Sequence, residues 1–285
     1  MIPARFDYVR PSSVDEAVRA LASGGDDTKV IAGGQSLLPL LRMRLARPDK
    51  LVDLGGLDAL RGVRDAGDAL EIGALTTYYE LTRDWLVREH CGLLAQAAAT
   101  IADPAVRHRG TFGGGLAHAD PAGDMPAVVT ALDATLVAHG PSGSREISPA
   151  DFFSDFFTTS LSPGEILTSV RVPKLEGWGY RYEKFNVTAQ AWALVGVAAV
   201  ARRADGHVAE ARVGLTNMGS VPVRALAVEA AAAGAEASAA GLAAAAAHAG
   251  EGADPPSDLR AAADYRRHLA RVLTGRALAA AAGAS

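Results

Sequence analysis

Along the first third of the chain, apolar residues follow two different rhythms. Val14, Ala17, Val18 and Leu21 recur at helical spacing. Ser13 precedes them and Glu16 lies three residues on, the spacing of a capping box in which Ser13 accepts from the Glu16 amide and Glu16 reaches back. Gly24-Gly25 ends the run. Lys29-Val30-Ile31-Ala32 then reads as a short buried strand entering a Gly-Gly turn. Residues 37–45 are apolar, are flanked by Arg42, Arg44 and Arg47, and predict one or two helical turns broken at Pro39. Leu51-Val52-Asp53-Leu54 and Leu70-Glu71-Ile72-Gly73 predict strands, and residues 77–90 and 91–101 predict helices.

The character changes past Thr135. Two short strands flank Gly140-Pro141-Ser142-Gly143, a hairpin turn, and residues 165–173 predict another strand. Pro173-Lys174-Leu175-Glu176-Gly177 reads as a linker between an N-terminal mixed domain and a smaller sheet-plus-helices domain. Residues 180–185, 193–203 and 208–217 predict three successive strands, with the last two joined through Asp205-Gly206. Beyond Pro222 the pattern is helical over 225–233, 239–249 and 265–282. In the last of these Tyr265, Leu269, Val272 and Leu273 share a face, with arginines opposite. No internal repeat is visible.

Composition narrows the classes. Hydrophobic residues are 49% and charged residues 21% of the 285, too apolar for a disordered chain and too weakly charged for a coiled coil. A net charge of -4 gives no electrostatic reason to expect nucleic acid. Cys91 is the single cysteine, which excludes a disulfide framework, a cysteine-ligated iron–sulfur cluster and a Cys-rich zinc site on this chain. No apolar run follows the basic residue of Met1-Ile2-Pro3-Ala4-Arg5, and the Ala-rich stretch 225–249 carries Glu229 and Glu236. Neither is expected to serve as a secretory signal or a membrane span, and a cytoplasmic protein is the expectation.

Two glycine-rich segments carry the candidate chemistry: Ala32-Gly33-Gly34-Gln35-Ser36 and Thr111-Phe112-Gly113-Gly114-Gly115. A Gly-Gly pair alone says little, since this glycine content yields about three adjacent pairs by chance. Context adds weight. The first segment follows a buried strand and brings Gln35 and Ser36; the second brings Thr111 and runs on through His118, Asp120 and Asp124. Glycine lets successive amides point at one anion, so the pair suits a diphosphate gripped by main-chain N–H groups from two loops. Neither segment has the spacing of the three-glycine dinucleotide fingerprint or of the lysine-bearing phosphate loop. A carboxylate beside such loops suits a ribose or ribityl hydroxyl better than a metal, because no second histidine follows His118 at ligand spacing. Cys91 reads as a small buried apolar residue rather than a nucleophile, and Ser36 lacks the setting of an acyl-transfer nucleophile.

The two segments, in this order, resemble the FAD-binding medium subunit of molybdenum hydroxylases, the group of xanthine dehydrogenase and aerobic carbon monoxide dehydrogenase. The resemblance also runs through Phe6-Asp7-Tyr8, residues 42–48, Ile101-Ala102-Asp103-Pro104 and residues 109–126. It continues through Gly164-Glu165-Ile166-Leu167, Tyr182-Glu183-Lys184, Gly214-Leu215-Thr216-Asn217 and Tyr265-Arg266-Arg267. It implies an α+β fold: a two-lobed FAD-binding domain of the vanillyl-alcohol oxidase type over 1–175, then a small C-terminal domain, a three-stranded sheet plus helices, over 176–285. It also implies that Ala32, Gly33, Gly34, Gln35 and Ser36, with Thr111, Phe112, Gly113, Gly114 and Gly115, hold the FAD diphosphate. Lys29, Ile101, Asp124, Leu167 and Lys184 would line the cofactor, and Trp192 would lie beside the isoalloxazine ring. Two departures stand out. Gly115 takes the place of a usual Asn, and Gln190-Ala191 that of a usual Gly-Asp.

The implied function is electron transfer, with no catalytic residue or metal on this chain. FAD would receive electrons from [2Fe–2S] clusters of a small partner subunit and pass them to a quinone or another acceptor. A large molybdopterin-binding subunit would oxidise the substrate, carbon monoxide first and a purine or other N-heterocycle second, within a dimer of heterotrimers that meets the inner membrane face through its acceptor. The rivals are a free-standing flavin oxidoreductase, which would need a general base the sequence does not nominate, and a scaffold subunit that has lost FAD.

Overall fold

The computed structural model describes residues 2–25 and 27–284. The helix Val14–Ala22 starts at Ser13, whose hydroxyl accepts from the Glu16 amide. The reciprocal half of the expected box goes elsewhere: the Glu16 carboxylate accepts from the amide and hydroxyl of Ser12. Three parallel strands form the first sheet, with Lys50–Asp53 between Asp7–Val9 and Thr28–Ile31. Pro39 does not break the helix Leu37–Met43. It lies in the first turn, where its missing N–H is an orphan in any case, and Arg44 in the left-handed region (φ 58°) ends the helix.

A second sheet is antiparallel, in the order Val63–Asp65, Ala69–Gly73, Ile166–Pro173, Thr135–Gly140 and Gly143–Ile147. The helices between its second and fourth strands supply the core. The helix expected over 77–90 is two, Tyr78–Arg83 and Trp85–His90. Asp84, extended at ψ 130°, ends the first, and its carboxylate caps the second through the Val87 amide.

The C-terminal sheet has four antiparallel strands, not three. Trp178–Phe185, Val195–Ala204 and His207–Thr216 are joined by the two-residue strand Val223–Arg224. Asp205 and Gly206 both have positive φ (51° and 81°), the hairpin geometry their sequence predicts. Residues 195–201 are buried without alternation because both faces of the sheet are covered. Val197 and Ala199 face a core completed by the helix Ala263–Ala281, while Ala198 and Val200 join the core of the second sheet. The segment 173–177 is therefore a short crossing between sheets that share a core, with the Leu175 amide bonded to the His90 carbonyl.

The last helix turns its faces differently from the amphipathic reading. Tyr265 and Val272 are exposed, whereas Arg266, at 1% exposure, lies on the buried face with Leu269, Leu273 and Leu278. On the opposite side of the sheet the helix Asp124–Ala131 sits on Gly214. A Cβ there would lie 2.1 Å from the Ala127 carbonyl, and this close approach lowers Asp124 onto the strand that carries Tyr182 and Lys184.

Candidate functional site

The first glycine segment follows the end of the strand Thr28–Ile31 and leads into the helix Leu37–Met43. Among the described residues, none of the N–H groups of Gly33, Gly34, Gln35 and Ser36 meets a protein acceptor. Four successive donors are thus left for something outside the chain.

The second segment is not a loop. Thr111 is the N-cap of the helix Phe112–His118, and the glycines form its first turn. The Phe112 amide donates to the Thr76 carbonyl, that of Gly113 to Ala74 and that of Gly115 to Thr111, while the Gly114 amide donates to the Thr111 hydroxyl oxygen. The threonine at the cap is what turns glycines into a helix here.

The two segments lie against one another. A Cβ on Gly33 would fall 2.1 Å from the Arg109 carbonyl, and one on Gly114 3.6 Å from the Ala32 Cβ. Together they wall a cavity of ≈ 340 Å³ that Lys29, Ala32, Gly33, Gly34, Gln35, Ser36, Thr111, Gly114 and Gly115 all line. A second cavity, ≈ 200 Å³, shares Gln35, Ser36, Tyr78, Gly115 and His118 with the first and adds Ile101, Asp124, Lys184 and Trp192. Phe112, Gly113 and Leu167 line neither cavity. Phe112 and Leu167 are core residues, and Gly113 is pressed on Ala74, where a Cβ would come within 2.4 Å.

Side chains, rather than main chain, make the second cavity. Asp124 is 4% exposed, yet its Oδ1 accepts from the Tyr182 hydroxyl at 2.5 Å and its Oδ2 from the Lys184 ammonium at 2.9 Å. Lys184 also donates to the Thr100 carbonyl at 3.2 Å. Burial pushes the Asp124 carboxyl above its usual range despite Lys184 and these hydrogen bonds, and the Asp120 charge adds to the rise. Burial holds the His118 imidazole below its ordinary value, so it is biased toward neutral. Trp192 stands 48% exposed at the rim. Gln190 reaches the same wall in the left-handed region (φ 67°), where the resemblance leads one to expect glycine.

The C-terminal sheet holds both walls of this second cavity. The Asn217 amide donates to the Pro121 carbonyl at 2.9 Å, and the Thr216 hydroxyl to that of Gly123 at 3.2 Å, which anchors the segment leading into Asp124. The Asn217 side chain donates to the carbonyls of Ala193 (2.9 Å) and Leu194 (3.3 Å), directly after Trp192. Buried Arg266 donates to the same Leu194 carbonyl at 2.6 Å and to Asp258 at 2.8 Å. Tyr78, Tyr182, Asn217 and Arg266 were missed as site residues. Their elements are far apart in sequence, and a lone tyrosine, asparagine or arginine carries no local signal. Cys91 is 1% exposed; its thiol faces the Pro173 carbonyl at 3.3 Å, and burial pushes it up to about 12.

Comparison with known proteins places the chain in a family. Residues 4–175 match the FAD binding domain in molybdopterin dehydrogenase, and residues 180–281 the CO dehydrogenase flavoprotein C-terminal domain. The chain is 39% identical to the carbon monoxide dehydrogenase medium chain of Hydrogenophaga pseudoflava, over 99% of this chain and 98% of that one. It is also 39% identical to the 6-hydroxypseudooxynicotine dehydrogenase complex subunit alpha of Paenarthrobacter nicotinovorans, over 98% and 95%. The solved carbon monoxide dehydrogenase of H. pseudoflava superposes with a TM-score of 0.96 at 42% identity, covering 99% of this chain and 98% of that chain. The chain belongs to the FAD-binding medium subunits of the molybdenum hydroxylases, flavin subunits of oxidoreductase complexes.

Proposed function

We propose that this chain is the flavin stage of a molybdenum hydroxylase complex. It receives electrons from [2Fe–2S] clusters on a small partner subunit and delivers them to a quinone or another acceptor, while a large molybdopterin-binding subunit oxidises the substrate. The observation that carries this reading is the adjacency of the two cavities, a main-chain cradle sharing Gln35, Ser36, Tyr78, Gly115 and His118 with a pocket of polar and aromatic side chains. A single buried cysteine leaves the iron–sulfur chemistry to a partner.

The residues fit FAD. Unpaired amides of Gly33 to Ser36 donate to the diphosphate, and Thr111, whose oxygen already accepts from Gly114, keeps its O–H to donate. Asp124 retains lone pairs for a ribityl hydroxyl. Ile101, Met125 and Trp192 give the ring an apolar surround that excludes water, with Trp192 offering a face to stack on. FAD itself supplies the electron-carrying chemistry; the protein orients it and sets the charge around it. Leu167, Phe112 and Gly113 support the walls from behind.

Carbon monoxide is the leading substrate of the complex, and an N-heterocycle the second. Relatives of equal identity bear the two kinds of name, so the large subunit's reading frame beside this gene is the deciding observation. The proposed division is a FAD domain over 1–175 and a C-terminal domain over 176–285, assembled as a dimer of heterotrimers in the cytoplasm. No helix among the described residues is long and apolar enough to cross a membrane, so contact with the membrane would run through the acceptor.

Co-expression with neighbouring large and small subunits tests the reading. It should give one complex carrying stoichiometric FAD, and Trp192→Ala should shift the flavin spectrum or potential more than it lowers stability. A chain that purifies colourless and alone, in the presence of those subunits, would refute it.

A further inference from the structure

Tyr78 stands where the two cavities meet and lines both. It is the first residue of the helix Tyr78–Arg83, which is held by a complete capping box between Thr77 and Glu80, and its amide donates to the Gly110 carbonyl at 3.0 Å. The side chain is therefore fixed at its root. It is 7% exposed, yet among the described residues its hydroxyl meets no donor or acceptor. Its oxygen is not among the sealed, unpaired polar atoms of the described residues; it opens on the space of the two cavities, where a bound group can reach it.

The same hydroxyl occupies a specific place. A Cβ on Gly115 would fall 1.9 Å from it and 3.3 Å from the ring carbon that bears it. Any side chain at 115 would claim the volume that the Tyr78 hydroxyl fills. Burial and the nearby Asp124 charge raise the phenol above its ordinary value, so it remains a donor at working pH.

We propose that the Tyr78 hydroxyl is a ligand to FAD, donating a hydrogen bond to the stretch that joins the diphosphate to the ring, from the space a side chain at 115 would otherwise use. The inference rests on the reading that FAD lies along the joined cavities. It also accounts for Gly115 as one half of an exchange: a polar group reaching the cofactor from the neighbouring helix in place of one carried by the second glycine segment.

The test is equilibrium titration of the full chain, stripped of cofactor, with FAD, together with melting of the stripped and reloaded forms. Tyr78→Phe should weaken FAD binding about tenfold, which is about 1.4 kcal/mol, and leave the stripped chain's melting unchanged because the hydroxyl bonds nothing in the protein. Gly115→Asn should bind more weakly still, since its side chain runs into the phenol. The double variant Tyr78→Phe with Gly115→Asn should bind more tightly than Gly115→Asn alone. Wild-type affinity in Tyr78→Phe overturns the proposal, as does a stripped-form melting loss equal to the loaded one, which would make the hydroxyl structural. If Gly115→Asn does not fold, the Tyr78→Phe result decides alone. Gly34→Val, which strains the cradle at φ 75° and meets Leu38 rather than Tyr78, separates the two levels. Full FAD affinity in that variant removes the underlying reading, whereas lost affinity there with an unaffected Tyr78→Phe removes this inference alone.

Discussion

The two halves of the site are built from different material. The first cavity is walled by main chain: unpaired amides of residues 33–36, and a helical turn of glycines whose own amides are already bonded. The second is made of side chains that hold one another, Tyr182 and Lys184 on Asp124, and Asn217 with Arg266 on the carbonyls behind Trp192. A backbone cradle tolerates any side chain that leaves it room. A side-chain pocket fails when one partner is lost, because the others are already desolvated.

The sharpest way to expose that difference is Lys184→Met. Removing the ammonium leaves Asp124 buried without its counter-charge and should cost about 3–5 kcal/mol of stability, measured by denaturant unfolding. Asp124→Asn in the same chain should restore much of it. The pH dependence has a definite sign. A carboxyl raised in the folded state contributes stability that is fully present below its unfolded value of 3.8 and is lost as pH rises through the folded one. The Lys184→Met deficit should therefore shrink on acidification toward pH 4; a deficit constant from neutrality downward would count against the buried carboxylate.

Gly33→Val probes the other half. Its Cβ meets main chain at 2.1 Å, which cannot swing aside, so the two glycine segments must part. The expected result is a colourless chain destabilised by about 3 kcal/mol; a chain that keeps stoichiometric FAD would show that the contact between the segments does not matter. The smallest effect is expected at Gln190→Gly, which relieves a left-handed residue at the rim. The gain, offset by glycine's extra freedom in the unfolded chain, should be about 0.5 kcal/mol in melting measurements.

This division also explains what could be read from the chain in advance. A backbone cradle advertises itself locally, as glycines between a strand and a helix, and the hairpin at Asp205-Gly206 was legible for the same reason. The second segment reads as a loop while its glycines dominate the pattern, but Thr111 is the cap that makes them helical. Asp124 stands out in the sequence beside the second segment, whereas Lys184 enters only through the family resemblance, since the two are 60 residues apart and no spacing rule links them. The helical pattern sets arginines opposite the apolar face, yet Arg266 lies on the buried one. The buried carbonyl that reverses this rule, on Leu194, is 72 residues away.

The bridge made by Asn217 bears on how such subunits diversify. One residue near the end of a C-terminal strand tethers the Pro121 carbonyl on one side and those of Ala193 and Leu194 on the other. A hybrid that takes its last hundred residues from a relative would keep its own glycine segments but exchange the wall of the second cavity that Asn217 ties down. The main-chain cradle and the wall beside Trp192 are thereby separately exchangeable parts of one chain.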